Sequence, residues 1–197
     1  MVMARINAVQ LFGFPTLCVV LGRRGSGKSN TGRVAAKYWK APAGAADKVL
    51  LIDRLTVEGH GTHRADVVLP RPPPLDQIRG RYSLVIVDEA DQWLPLNGNP
   101  DPVLIDLIRR GRHYGLTLIL MTQRPASLSY DARALADKLF LFSLTSESDL
   151  RWSEGLDSSL KGHREFLQKA RPGEALLWDG LDYNVRVKRV VMPLDKD

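Results

Sequence analysis

The eight residues GRRGSGKS at 22–29 limit the folds open to this chain more than any other feature. They fit the spacing G-x-x-x-x-G-K-[ST]. The apolar run TLCVVLG (16–22) leads into them, and a helical pattern over 28–39 leaves them, with Val34, Ala35, Tyr38 and Trp39 at helical spacing. Glycines let backbone N–H groups wrap an anion, and a helix start adds its positive field at the same point. The stretch therefore predicts a phosphate site lined by Gly22, Gly25, Ser26, Gly27, Lys28, Ser29 and Asn30. Lys28 is placed to reach the β- and γ-phosphates of a nucleotide, and Ser29 to ligate Mg²⁺. A glycine-rich turn without a ligand is the bland alternative, and the strand before and helix after it speak against that. Arg23 and Arg24 either add charge to the phosphates or face solvent.

Further apolar runs follow: KVLLID (48–53), ADVVLP (65–70), YSLVIVDEAD (82–91), LTLILMTQ (116–123) and KLFLFSL (138–144). Their continuous apolar character, without alternation, marks strands buried on both faces, as in a parallel α/β sheet. Helical patterns lie between them. The pattern at 102–114 has Asp101 as N-cap, Pro102 at the first helical position, and Val103, Leu104, Leu107 and Ile108 on one face. Shorter helices are expected at 131–137, 146–154 and 158–169. The tail EALLWDGLDYNVRVKRVVM differs: an Asp-Gly turn signal precedes Val185 and Val187 alternating with Arg186 and Lys188, which reads as an antiparallel hairpin on a sheet edge. PRPPPLD (70–76) is stiff but too short to link domains. The expectation is one α/β domain over 1–197, a mostly parallel sheet flanked by helices with the hairpin at its edge. A chain of 197 residues with 44% hydrophobic content can cover such a sheet on both faces. The single cysteine, Cys18, lies in an apolar run and reads as a core residue of an intracellular protein. No apolar stretch approaches the ~20 residues of a membrane span, and none reads as a signal peptide.

A phosphate site that holds Mg²⁺ needs an acidic partner, and VDEAD supplies one. Asp88, at the end of an apolar run, is placed to hold Mg²⁺ through water, and Glu89 beside it to polarise an attacking water. This pairing favours hydrolysis over transfer to a second substrate. The bland reading of Glu89 is an exposed turn carboxylate, and Asp91 reads as a helix-start residue. In an open α/β sheet ligands sit at the carboxyl ends of the strands. The run 116–121 then delivers Thr122 and Gln123 to the γ-phosphate, where an amide can donate to a phosphate oxygen and accept from the attacking water. Pro125 ends the strand.

The arginines before that strand have two readings. At 100° per residue the apolar face of helix 102–114 is centred between Leu104 and Leu107, so Arg109 and His113 point away, Arg110 lies near the edge and Arg112 at the other flank. Either they complement the helix C-terminal dipole, or Arg109, Arg110, Arg112 or Arg124 crosses a subunit boundary as an arginine finger. The net charge of +6 and pI near 9.6 fit a polyanionic partner without identifying one.

The phosphate loop, VIVDEAD at 85–91 and above all RRGRHYGLTLILMTQRP at 109–125 resemble the FtsK–HerA superfamily of ring-shaped DNA-pumping ATPases, with a RecA-like P-loop core. The likeness runs from about residue 16 to 144. The chain lacks the extra domains of bacterial chromosome translocases, and its size resembles the genome-packaging ATPases of membrane-containing icosahedral double jelly-roll viruses. That resemblance implies ATP and Mg²⁺ as cofactors. It implies Lys28, Ser29, Asp88, Glu89 and Gln123 as the ATP machinery, with an arginine of 109–112 or Arg124 acting in trans. As partners it implies double-stranded DNA held without sequence preference, further copies of the chain in a hexameric ring, and a capsid or membrane protein at a packaging vertex. The implied location is the host cytoplasm or the virion.

Other classes share parts of this pattern. A filamentous-phage assembly ATPase of the zonula-occludens-toxin type shares the acidic pair and a strand ending in Thr-Gln, but usually carries a membrane span. A plasmid or cellular HerA-like motor would look similar. A small-molecule kinase needs an acceptor pocket and a mobile lid, which 146–171 could imitate with Arg151, Lys161, Arg164, Lys169 and Arg171. Two loops are candidates for DNA: 54–66, with Arg54, His60, His63 and Arg64, and 92–101, with Trp93 and an Asn-Gly-Asn turn. His60 and His63 lack the further ligands of a metal site.

Overall fold

A computed structural model describes residues 8–54, 64–182, 184 and 186–193. The histidines of the 54–66 loop, His60 and His63, lie outside the described residues, as does Val185. In chain order the regular elements are α1 (Ala8–Phe12), β1 (Leu17–Leu21), α2 (Lys28–Tyr38), β2 (Val49–Ile52), β3 (Val67–Leu69) and β4 (Leu84–Val87). They continue with α3 (Pro102–Arg110), β5 (Thr117–Thr122), α4 (Tyr130–Ala134), β6 (Lys138–Leu141), α5 (Glu147–Leu156), α6 (Arg164–Lys169), β7 (Glu174–Asp179) and β8 (Val187–Val191).

The strands form one eight-stranded sheet in the order β3-β2-β4-β5-β1-β6-β7-β8. All pairings from β3 to β6 are parallel, and β7 and β8 close that edge antiparallel. Each long apolar run supplies both faces. Leu17, Val19 and Leu21 of β1 pack with Leu104, Leu107, Ala132, Leu150 and Leu167 from α3 to α6. Cys18 and Val20 pack the other way with Phe12, Val34 and Ala35 from α1 and α2. Helix α2 lies close on the sheet at Gly32, where a Cβ would lie 3.1 Å from the Met121 side chain.

Three elements differ from the sequence expectation. The 102–114 pattern is α-helical only to Arg110 and continues as a 3₁₀ turn over Gly111–Tyr114, stopped by Gly115 at φ +61°. The 158–169 pattern is divided into a 3₁₀ turn, Ser158–Leu160, and α6, because Gly162 at φ +90° breaks the helix between them. The short α1 carries too few residues to show a period. Asp101 caps α3 as its sequence position suggests, accepting from the N–H groups of Val103 and Leu104 at 3.0 Å.

Candidate functional site

Strand order brings the chemistry together. β5 lies between β1 and β4, with Thr122 level with Leu21 at the end of β1 and Leu120 level with Val87 at the end of β4. The loop after β1, the acidic turn after β4 and the Thr-Gln-Arg end of β5 therefore emerge side by side at the carboxyl edge of the sheet. Lys28 takes part electrostatically with the acidic turn: Asp88, Asp91 and Glu89 all favour its charged form.

The loop is wound by its glycines. Gly27 sits at φ +118°, and a Cβ there would lie 3.0 Å from the backbone nitrogen of Gly173. Gly22 passes so close to Phe142 that a Cβ would meet that side chain at 2.6 Å. The Arg23 N–H donates to the Ser143 carbonyl at 2.9 Å, and Lys28 Nζ folds back to the Arg23 carbonyl at 3.0 Å. Arg23 and Arg24 are both exposed. Burial holds the Lys28 ammonium below its ordinary value, with the three carboxylates pulling the other way. Two buried hydroxyls, Ser26 Oγ in the loop and Ser143 Oγ beside it, have no hydrogen-bond partner among the described residues. A cradle bare of side chains, a buried lysine and unspent hydroxyl donors fit a bound phosphate chain.

In the acidic turn, burial pushes the Asp88 carboxyl up, while the Glu89 N–H and Lys28 stabilise its ionised form. One of its oxygens accepts from the Glu89 N–H at 2.8 Å. With the exposed Ser29 hydroxyl it offers the hard oxygen donors that Mg²⁺ takes. Glu89 is the one non-glycine residue with positive φ among the described residues, at +47°. It is also not a free turn carboxylate: the Gln92 amide donates to it, and Arg54 donates to Gln92 at 3.0 Å. A strained residue held by its neighbours is typical of functional turns.

At the end of β5, Gln123 is exposed and makes no hydrogen bond to any described residue, so its amide is available to a ligand. Asp91 does more than start a helix. It lies in the 3₁₀ turn Ala90–Gln92, and its carboxylate accepts the Thr122 hydroxyl at 2.5 Å. Asn30, expected to line the nucleotide, turns its amide to the Pro193 carbonyl at 2.7 Å. That bond belongs to a brace that local sequence pattern does not reveal: the Gly173 N–H donates to the Ser26 carbonyl at 2.9 Å, and the Met192 N–H to the Gly173 carbonyl at 2.8 Å. The C-terminal hairpin is thus fastened directly to the phosphate loop.

The arginines of 109–112 lie at the other end of the sheet, near the starts of β5 and β6, a six-residue strand or about 20 Å from the strand ends that carry the loop. Each has a carboxylate partner in its own chain: Arg109 holds Asp131 at 2.6 Å, Arg110 pairs with Asp106 and Arg112 with Asp137. All three side chains remain more than half exposed, at 61%, 63% and 55%. Arg124 is exposed at the carboxyl end, beside Gln123. In the segment that could imitate a kinase lid, Arg164 is tied to Glu147 and Glu154, and Arg151 to Glu147. Leu150, Leu160 and Leu167 of this segment are buried in the core, so it forms a fixed layer of the fold.

Known proteins share this fold. The zonular occludens toxin (Zot) family profile matches residues 73–144, which span the acidic turn, α3 and β5. No curated protein matches the chain by sequence. Among solved structures, the genome packaging NTPase B204 of Sulfolobus turreted icosahedral virus 2, in complex with ATP-gammaS, superposes with a TM-score of 0.67 at 21% identity, covering 91% of this chain and 98% of that one. The DNA-packaging ATPase B204 of Sulfolobus turreted icosahedral virus gives 0.67 at 18% identity, covering 89% and 97%. The N-terminal domain of zonular occludens toxin from Neisseria meningitidis gives 0.53 at 18% identity, covering 93% and 96%. The fold is that of the P-loop ATPases: a mostly parallel sheet with flanking helices and an antiparallel C-terminal hairpin.

Proposed function

We propose that this chain is an ATP-hydrolysing DNA translocase, a genome-packaging motor that moves double-stranded DNA into a preformed capsid. The observation that carries the reading is the place of β5 between β1 and β4, which sets Gln123 between the phosphate loop and the Asp88–Glu89 turn. The loop N–H groups and Lys28 neutralise the β- and γ-phosphates. Ser29 and, through water, Asp88 would hold Mg²⁺, which would supply charge neutralisation at the phosphates. Glu89 draws the proton from the attacking water, and Gln123 orients that water against the γ-phosphate. The similarity to two B204 packaging enzymes supports the packaging assignment.

In this proposal the active form is a ring of identical subunits, six by the resemblance. Distance from their own phosphate loop leaves Arg109, Arg110 and Arg112 to act on a neighbour's nucleotide if they act on one at all, and Arg124 is the alternative at the carboxyl end. DNA is held by its backbone, consistent with the +6 net charge. A capsid or membrane protein at the packaging vertex is the remaining partner, and the host cytoplasm or virion the location. No helix among the described residues is long and apolar enough to cross a membrane.

The Zot profile over 73–144 favours one second reading, an ATPase of filamentous-phage assembly. ATP turnover with and without duplex DNA separates the two. A packaging motor is stimulated by duplex DNA of any sequence, and the stimulation fades as salt rises. Turnover indifferent to DNA removes the translocase reading, and turnover only with a small acceptor would make the chain a kinase. Mixing tests the ring: an arginine→Ala chain with an intact loop and a Lys28→Ala chain with intact arginines should recover activity together. No recovery for any of the four arginines, in rings shown to exchange subunits, excludes action in trans.

A further inference from the structure

The Thr122 hydroxyl is fully buried and used twice. It donates to Asp91 Oδ1 at 2.5 Å and accepts from the Arg124 N–H at 3.1 Å. Between Thr117 and Thr122 the strand is apolar and buried, through Leu118, Ile119, Leu120 and Met121, and a valine would fill the same space at 122. The two bonds join segments far apart in sequence. One is the acidic turn, where Asp91 follows Glu89 by two residues. The other is the reversal at Gln123–Arg124 that ends the strand. Asp91 also faces Lys28, whose charged form it favours. A single hydroxyl thus stands between the residue beside the nucleotide phosphates, the turn that carries the water-activating carboxylate and the strand end that carries the amide.

We infer that Thr122 and Asp91 form a positioning pair that fixes Gln123 in register with Glu89. Neither side chain touches the reacting atoms. Asp91 anchors the hydroxyl from the acidic side, and the hydroxyl fixes the Arg124 N–H, so the backbone on either side of Gln123 is pinned at Thr122 and Arg124. Losing the bond loosens the placement of the amide and leaves the phosphate cradle intact. This inference rests on the proposed hydrolysis of ATP.

The test uses Thr122→Val, Thr122→Ser and Asp91→Ala in the full chain, each checked for cooperative melting. Thr122→Val is expected to lower kcat about tenfold or more, as misplacement of a catalytic group does, with KM for ATP within about threefold of the parent. Thr122→Ser restores the hydroxyl and should bring kcat back to within about threefold. The Thr122→Val/Asp91→Ala double variant should fall no further than the worse single variant, because both break one link. Unchanged kcat in Thr122→Val, a Thr122→Ser as slow as Thr122→Val, or additive losses in the double variant would each overturn the pair. Amide exchange in the nucleotide-free protein separates this from failure of the ATPase reading. The Arg124 amide should exchange about fivefold faster in Thr122→Val, matching one lost hydrogen bond, whether or not ATP is hydrolysed. Unaltered exchange there removes the pair even in an active enzyme.

Discussion

Asp137 and Lys138 stand at the start of β6, one just before it and one at its first position, and Ser143 lies just past its end, yet the two places treat polar groups differently. Asp137 accepts the Leu17 N–H at 2.8 Å and pairs with Arg112. Lys138 holds Asp179 at 2.8 Å, both side chains only 10% exposed, and reaches the Leu11 carbonyl. Thr16 and Thr117 spend their hydroxyls on the carbonyls of Phe12 and Gly13. At the carboxyl edge the hydroxyls of Ser26 and Ser143 are buried without a partner among the described residues, Glu89 is strained, and burial disfavours the charges of both Lys28 and Asp88. The amino ends of the strands hold the sheet together, and the carboxyl ends keep hydrogen-bonding capacity and charge in reserve for a ligand.

Lys28→Ala is the strongest way to break that contrast. The variant is expected to lose ATP turnover by about 10³-fold or more, since in the proposed reaction the lysine stabilises charge that develops on the phosphates. Its melting temperature should stay within about 4 °C of the parent. The pKa of Lys28 is lowered in the fold, so the unfolded chain binds that proton more tightly. Stability contributed by this group therefore rises as pH climbs through the lowered value towards the ordinary lysine range, and at neutral pH the buried charge is a cost. Removing it relieves that cost but leaves Asp88, Glu89 and Asp91 without their cation, and the two effects oppose. ATP should raise the melting temperature of the parent and not of the variant. A variant that melts far below the parent would show that the carboxyl edge carries stability too.

Lys138→Met asks the converse question at the amino edge. It leaves Asp179 largely buried and unpaired, which should cost about 3 kcal/mol and lower the melting temperature by about 6–12 °C. Turnover per folded molecule should not change. Adding Asp179→Leu should recover most of the stability, because a buried pair replaced whole by apolar groups is close to neutral. A loss of kcat in Lys138→Met at temperatures where it is fully folded would mean that the two edges are coupled.

Sequence made the carboxyl edge legible and the amino edge opaque. Spacing and strand context single out the loop, the Asp88–Glu89 turn and the strand ending at Gln123 as local patterns, and the structure brings the three to one edge. Strand order, with β5 between β1 and β4, emerges only in the structure, since periodicity says nothing about neighbours. The helical wheel placed Arg109 outward, which the structure confirms, but its partner Asp131 belongs to α4, whose position is set by tertiary packing. The brace from Gly173 to Ser26 and the bond from Asn30 to Pro193 join residues far apart in sequence, and no spacing rule points to them. From sequence alone Thr122 is delivered to the γ-phosphate along with Gln123; in the structure its hydroxyl is spent on Asp91.

Glu89 lets chemistry and strain at the carboxyl edge be separated. Glu89→Gln keeps the side-chain shape and should slow hydrolysis by about 10²-fold while ATP still binds. Loss of binding with unchanged turnover of bound ATP would make the carboxylate a structural group.

The smallest effect concerns the backbone alone. Glu89 holds φ +47° and ψ +47°, a left-handed conformation that costs a residue with a Cβ about 1–2 kcal/mol. Glycine adopts it without that cost, although it loses more backbone entropy on folding. Alanine at 89 removes the carboxylate and keeps the strain, and glycine removes both. Glu89→Gly should therefore be more stable than Glu89→Ala by about 0.5–1 kcal/mol in denaturant unfolding, with both inactive. At Arg109, in regular helical backbone at the opposite edge, the order must invert: Ala should exceed Gly by about 1 kcal/mol. Two substitutions with opposite signs at the two ends of one sheet would place the strain at the carboxyl edge. If Glu89→Gly proves less stable than Glu89→Ala, the acidic turn stores no strain, and the contrast between the edges reduces to unspent hydrogen bonds and buried charge.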